Sequence, residues 1–112
     1  MQISEYKSQV VIVQFNERLD SSYVGKVRET LKALTRSGKD KFVVDLKDVY
    51  FIDSQGLGIL VSLLRASRAN DGTVHFVNSS NEGPRQLFSV TKLDEVFEMY
   101  ETLEQALQGF DL

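Results

Sequence analysis

Phe51-Ile52-Asp53-Ser54-Gln55-Gly56-Leu57-Gly58-Ile59-Leu60 carries an apolar, strand-like run through a polar pair directly into a helical one. Leu57, Leu60, Val61 and Leu64 recur on one helix face, so the spacing predicts a helix from Asp53-Ser54 to about Asn70, where Asp71-Gly72 turns the chain. Two glycines stand in its first turn, where each costs roughly 0.5–1 kcal/mol relative to alanine. Gly56 and Gly58 therefore imply that backbone or a ligand approaches the helix start closely. A strand ahead of this helix and Thr73 to Val77 behind it make a β-α-β unit, which places the chain among the α/β folds.

The flanks extend that pattern. Lys41 to Leu46 reads as a strand covered on both faces, because its apolar residues are consecutive rather than alternating, with Val49 to Ile52 following it. Upstream, Gln9 to Phe15 and Gln2 to Tyr6, separated by Lys7-Ser8, predict a terminal hairpin. Between hairpin and strand, Val24, Val27, Leu31 and Leu34 mark a helix that Asp20, Ser21 or Ser22 can cap and Ser37-Gly38 can stop. Downstream, a third helix follows Ser79-Ser80-Asn81 with Pro84 in its first turn, and Val96 to Tyr100 reads as a last strand. Thr102-Leu103-Glu104-Gln105 fits a capping box for a short helix ending near Gly109. The order is ββαβαβαβα, a mixed β-sheet with about four helices.

Composition narrows the chemistry. The chain has 112 residues, which fits one domain over 1–112 and is short for two. Thirteen Lys plus Arg against sixteen Asp plus Glu give a net charge of −3, which disfavours a basic nucleic-acid binder. With 42% hydrophobic and 26% charged residues the chain has the make-up of a folding domain. The absence of Cys excludes disulfides, thiolate metal sites and thiol catalysis, and the single His75 excludes multi-histidine metal centres. The beginning lacks a basic and apolar leader, and the longest apolar run, Leu57 to Leu64, is too short to span a bilayer. A cytoplasmic protein with no membrane insertion and no cofactor or metal is expected.

Three kinds of chemistry compete for the Asp53 to Gly58 junction. A phosphate-binding loop would use the free N–H groups of the helix start, but neither G-x-x-x-x-G-K-[ST] nor G-x-G-x-x-G is present, position 61 being Val. A nucleophilic Ser54 lacks the G-x-S-x-G elbow, and His75, in mid-strand, reads as a packed or surface side chain. The third possibility is that Ser54 is a hydroxyl on which another enzyme acts. Ser54 also suits the N-cap of the helix, where it would contribute about 1 kcal/mol, and the two roles are compatible. Phosphorylation would add about −1.5 to −2 charges. At about 6 Å from the Asp53 carboxylate and an effective dielectric of about 20, the unscreened repulsion is several times the ~1.4 kcal/mol that changes an affinity tenfold. The same helix carries Ile59, Leu63 and Ala66 on its far side, which reads either as burial on two sides or as an exposed patch for a partner, with Gly58 and Ser62 as small neighbours.

Val43-Val44-Asp45-Leu46-Lys47-Asp48-Val49-Tyr50-Phe51-Ile52-Asp53-Ser54-Gln55-Gly56-Leu57-Gly58 resembles the strand and D-S-x-G-L-G signature of STAS domains, specifically the anti-sigma factor antagonists of bacterial partner-switching systems. Arg85-Gln86-Leu87-Phe88 with Leu93, Val96 and Phe97 is similar to the family's third helix and last strand. The resemblance implies that Ser54 is phosphorylated by an anti-sigma factor with serine/threonine kinase activity and dephosphorylated by a PP2C-type phosphatase, so that catalysis belongs to the partners and not to this chain. It implies further that the unphosphorylated form binds the anti-sigma factor and frees the sigma factor. The family's acidic residue before the first helix falls on Asp20. The partner surface expected on this basis comprises Asp20, Ser21, Ser22, Asp53, Gln55, Gly56, Gly58, Ile59 and Ser62. The chain departs from the family pattern at Glu17, where Gly is common, and at Gln55, where Ser, Thr or Ala is common. A STAS scaffold or transport-associated module, or an antagonist of another signalling kinase, is the competing role; a small independent enzyme using Ser54 is a third.

Overall fold

Consecutive apolar residues such as Val10-Val11-Ile12-Val13 and Phe42-Val43-Val44 point alternately to the two faces of a strand, so one strand serves two layers. The computed structural model describes residues 1–112. The elements are β1 (Gln2–Tyr6), β2 (Val10–Leu19), α1 (Val24–Arg36), β3 (Lys41–Ile52), α2 (Ser54–Ala69), β4 (Thr73–Val77), α3 (Glu82–Val90), a 3-10 turn (Leu93–Glu95), β5 (Glu98–Tyr100) and α4 (Leu103–Gln108). The sheet order is β1-β2-β3-β4-β5, with β1 antiparallel to β2 and all other neighbours parallel. The ββαβαβαβα order and mixed sheet read from the sequence are therefore present.

The two sides of the sheet are unequal. Val11, Val13, Phe15, Phe42, Val44, Leu46, Val74 and Phe76 share one cluster with Val27 and Leu31 of α1, Leu60 and Leu64 of α2 and Phe88 of α3. Val10, Val43 and Val77, the alternate residues, meet Ala106 of α4 on the other side. His75 also points to this second side, stacked on Phe110 at 3.8 Å, with Nδ1 2.8 Å from the Ala106 carbonyl and Nε2 2.8 Å from Glu98. No helix is long and apolar enough to cross a membrane.

Several local expectations are corrected. β3 is one strand of twelve residues, not two runs, because bulges in its pairing with β2 at Gln14/Asn16 and Glu17/Arg18 let the pair continue to Leu19↔Ile52. Glu17 sits at φ +66°, a left-handed conformation that glycine adopts freely, which gives a physical reason for the family's preference there. α1 begins at Val24 with no side-chain cap: Asp20, Ser21 and Ser22 form the preceding turn instead. The last strand shrinks to Glu98–Tyr100, since Leu93–Glu95 coils into a 3-10 turn and Val96 lies half exposed while Phe97 stacks on Phe76 at 4.2 Å. At α4, Thr102 Oγ1 accepts from Gln105 N at 3.1 Å as expected, but the Gln105 side chain accepts from Glu101 N rather than closing on Thr102.

Candidate phosphoacceptor and partner-binding site

The parallel pairing of β2 and β3 ends at Leu19↔Ile52, so the residues that follow, Asp20 and Asp53, leave the sheet side by side. Asp53 N donates to Leu19 O at 3.3 Å, continuing the ladder by one step. The Asp53 carboxylate then works in two directions. Oδ1 accepts from Gly56 N at 2.9 Å and caps α2, while Oδ2 accepts from Ser21 N at 2.9 Å and ties the β2–α1 turn to the helix start. The cap is thus Asp53, and Ser54 is the first helical residue. The expectation that Ser54 caps the helix is corrected: a carboxylate one residue earlier already takes the orphan N–H.

Asp20 is the better shielded acid. Its side chain is 7% exposed; Oδ1 accepts from Ser22 N at 3.1 Å and from the Ser22 hydroxyl, and Oδ2 accepts from Arg18 Nε at 2.6 Å. The Ser22 hydroxyl, then the Arg18 guanidinium and the Ser22 N–H, hold the Asp20 carboxyl down at about 2. The Gly56 N–H, followed by the Ser21 N–H, lowers that of Asp53 as well. Both acids are ionised at neutral pH and neither has a free role as a proton acceptor. Arg18 lies over the Phe51 ring at 4.4 Å, its Cα partner in the β2–β3 register, so Phe51, Arg18, Asp20 and Ser22 form one chain of contacts.

The glycines separate into two kinds. A Cβ on Gly56 would stand 2.1 Å from the Leu19 carbonyl oxygen, so the close approach implied by the sequence is backbone against backbone. A Cβ on Gly58 would meet nothing within 4 Å. Gly58 is exposed, as are Ser54 and Ser62, and these three recur every four residues along the outer side of α2. Gln55 is exposed beside them.

The sequence-derived surface is therefore brought together only in part. Ser21, Ser22, Ser54, Gln55, Gly58 and Ser62 are accessible; Asp53 is partly so, and Asp20 acts mainly through the turn it holds. Gly56 and Ile59 are buried, Ile59 at 2% exposure, and neither belongs to the exposed surface around Ser54. Ile59 and Leu63 face α1, so the far apolar side of α2 is burial on two sides, and the half-buried Leu57 and Val61 are less central than their spacing implied. Arg18 and Phe51 were missed as site residues. Their pairing depends on the register of strands more than thirty residues apart, which no local pattern shows.

Chemically, Ser54 is an accessible hydroxyl without a hydrogen-bond partner and without a base. His75 lies on the opposite side of the sheet beneath α4, and both Asp53 oxygens are engaged by N–H groups. The Ser54 hydroxyl is thus open to solvent at the start of α2, with no side chain hydrogen-bonded to it that could take up its proton.

Comparison with known proteins follows the same lines. Over 92 residues, 82% of this chain and 84% of the other, the protein is 30% identical to an anti-sigma-B factor antagonist of Staphylococcus aureus. Over 71 residues it is 35% identical to a Thermotoga neapolitana protein described as a candidate anti-sigma factor antagonist, and the match spans 62% of that relative's length. In three dimensions it superimposes on a candidate anti-sigma factor antagonist from Thermotoga maritima with a TM-score of 0.87 at 26% identity, covering 96% of this chain and 91% of that one. Residues 3–106 match the STAS domain family, and the chain belongs to that family.

Proposed function

We propose that the protein is a cytoplasmic anti-sigma factor antagonist, one STAS domain over 1–112, whose binding to a kinase-type anti-sigma factor is switched off when that kinase phosphorylates Ser54. A PP2C-type phosphatase would restore it. The observation that carries this reading is the free Ser54 hydroxyl placed next to a carboxylate that two N–H groups keep ionised. The name of the Staphylococcus relative, matched over most of both chains, supports the same role.

The physics of the switch is local. A phosphate on Ser54 adds about −2 charges beside Asp53, at a helix start that Asp53 itself fastens to Ser21. The helix N-terminus offsets part of that charge for its own chain, worth about 0.3–1 kcal/mol. A partner gains no such compensation. It would meet a surface of Ser21, Ser22, Gln55, Gly58 and Ser62 beside the one partly exposed carboxylate of Asp53 before phosphorylation, and a strongly anionic one after it. Catalysis, on this reading, belongs to the kinase and phosphatase.

The test is a titration of the cognate kinase with wild-type protein, Ser54→Ala and Ser54→Asp. Ser54→Ala should bind and resist phosphate incorporation, and Ser54→Asp should bind at least tenfold more weakly. Phosphate mapped to another residue, or equal affinity for all three proteins, overturns the assignment.

A further inference from the structure

We infer that the groove between α1 and α2 is a second docking site, built for an acidic segment of a protein partner that inserts one aliphatic side chain. The groove encloses about 110 Å³. Leu31, Ile59, Leu63 and Ala66 form its floor, and Arg28 and Lys32 stand on its α1 rim. An apolar cavity of about 150 Å³ holds a benzene ring, so this one suits a single leucine-sized group.

Charge identifies the occupant. The two helices carry Lys26, Arg28, Lys32, Arg36, Arg65 and Arg68 against one acid, Glu29, in a chain whose net charge is −3. None of the six makes an ion pair, and they make up six of the nine unpaired Lys and Arg residues of the chain. Arg28, Lys32 and Arg36 recur every four residues and so line one edge of α1. A row of unpaired cations beside an apolar slot complements an acidic peptide bearing one apolar anchor.

Other anionic surfaces fit less well. A bilayer is entered by protruding apolar side chains, but Leu31, Ile59 and Leu63 are at most 4% exposed and lie recessed between the helices. Single-stranded nucleic acid needs aromatic platforms, and neither helix contains an aromatic residue. The site is also separable from the phosphoacceptor. Ser62 lines the groove and also ends the surface proposed around Ser54, but it is eight residues from Ser54 on α2, about 12 Å along the axis and beyond the screening length of about 8 Å at physiological salt.

The test uses the full chain labelled with nitrogen-15 and a capped probe peptide, Glu-Glu-Asp-Leu-Glu-Asp-Glu. Amide shifts should cluster on α1 and the second half of α2. A double variant, Arg28→Glu with Lys32→Glu, and separately Ala66→Leu, which fills the slot without changing charge, should each weaken binding at least tenfold while retaining a wild-type melting transition. Replacing the peptide's leucine by alanine should do the same, and Ser54→Asp should leave the affinity unchanged. Shifts located elsewhere, or undiminished binding by the double variant, overturn the proposal. So does binding of phosphatidylserine vesicles or an oligonucleotide at this face in preference to the peptide. Loss of peptide binding in Ser54→Asp would show that the two sites are one.

Discussion

The Ser21 N–H donates to Asp53 Oδ2 at 2.9 Å across 32 residues of sequence, and this one bond joins the turn before α1 to the residue before Ser54. Because the other Asp53 oxygen caps α2, the side chain holds the two loops of the site in a fixed relation.

Asp53→Ala should therefore cost more than an ordinary helix cap, since it frees both the Gly56 and the Ser21 N–H groups. The melting temperature should fall by about 4 °C or more. Asp53→Ser, which can restore the cap but is too short to hold Ser21 as well, should recover only part of that loss. Full recovery by Ser would mean that the tie to Ser21 carries no stability.

Ser54→Ala, by contrast, should change stability by less than about 0.5 kcal/mol, because the hydroxyl makes no hydrogen bond and the cap is the preceding residue. Urea unfolding of the two proteins measures this directly. A loss near 1 kcal/mol would place Ser54, not Asp53, at the cap.

The two glycines of the first turn should behave oppositely. Gly56→Ala drives a methyl group into the Leu19 carbonyl and should destabilise by about 2 kcal/mol or more. Gly58→Ala meets open space and should stabilise by roughly 0.5–1 kcal/mol through helix propensity. The same Gly58→Ala should weaken kinase binding if the exposed Ser54-Gly58-Ser62 strip is the contact, so stability and affinity would move in opposite directions.

The contrast between these glycines also marks how far the sequence could be read. Local pattern is enough for α2 and β4, whose core residues recur or alternate within a few positions: Leu60 and Leu64 on one side of the helix, Val74 and Phe76 on one side of the strand. The motif from Asp53 to Gly58 picks out the strand–helix junction where the turn before α1 and the start of α2 meet. What stayed hidden depends on pairing between distant segments. The bulged register of β2 on β3 decides that Arg18 covers Phe51, that Leu19 O presses on Gly56, and that Asp53 rather than Ser54 accepts the cap bond. A helix wheel sets Ile59 on the far side of α2 and cannot show that α1 covers it.

Acid should loosen the site before it unfolds the sheet. The Asp20 carboxyl lies at about 2 in the folded protein against an ordinary 3.8, chiefly through the Ser22 hydroxyl and Arg18. A carboxyl lowered on folding adds stability that is complete above its unfolded pKa and is lost as pH falls through the folded one. Asp53 is shifted in the same direction. Stability should thus hold from neutrality to about pH 5 and decline between about pH 4 and 2. Asp20→Asn should be less stable at pH 7 and show a shallower decline over that interval. Parallel curves for the two proteins would remove Asp20 from the account.

Glu17 supplies a last test, of backbone rather than charge. Its φ of +66° costs an L residue about 1 kcal/mol, and it falls between the two bulges that carry β2 to Asp20. Glycine removes that strain but gives back part of the gain, because it loses more chain entropy on folding. Glu17→Gly should therefore stabilise by about 0.5 kcal/mol. Asn16→Gly, one residue earlier in the strand and outside the left-handed region, should destabilise by roughly 0.5–1 kcal/mol. Chemical denaturation of both variants with an unchanged m-value measures the difference. If both lose stability alike, the left-handed turn at Glu17 is not what shapes the approach to Asp20.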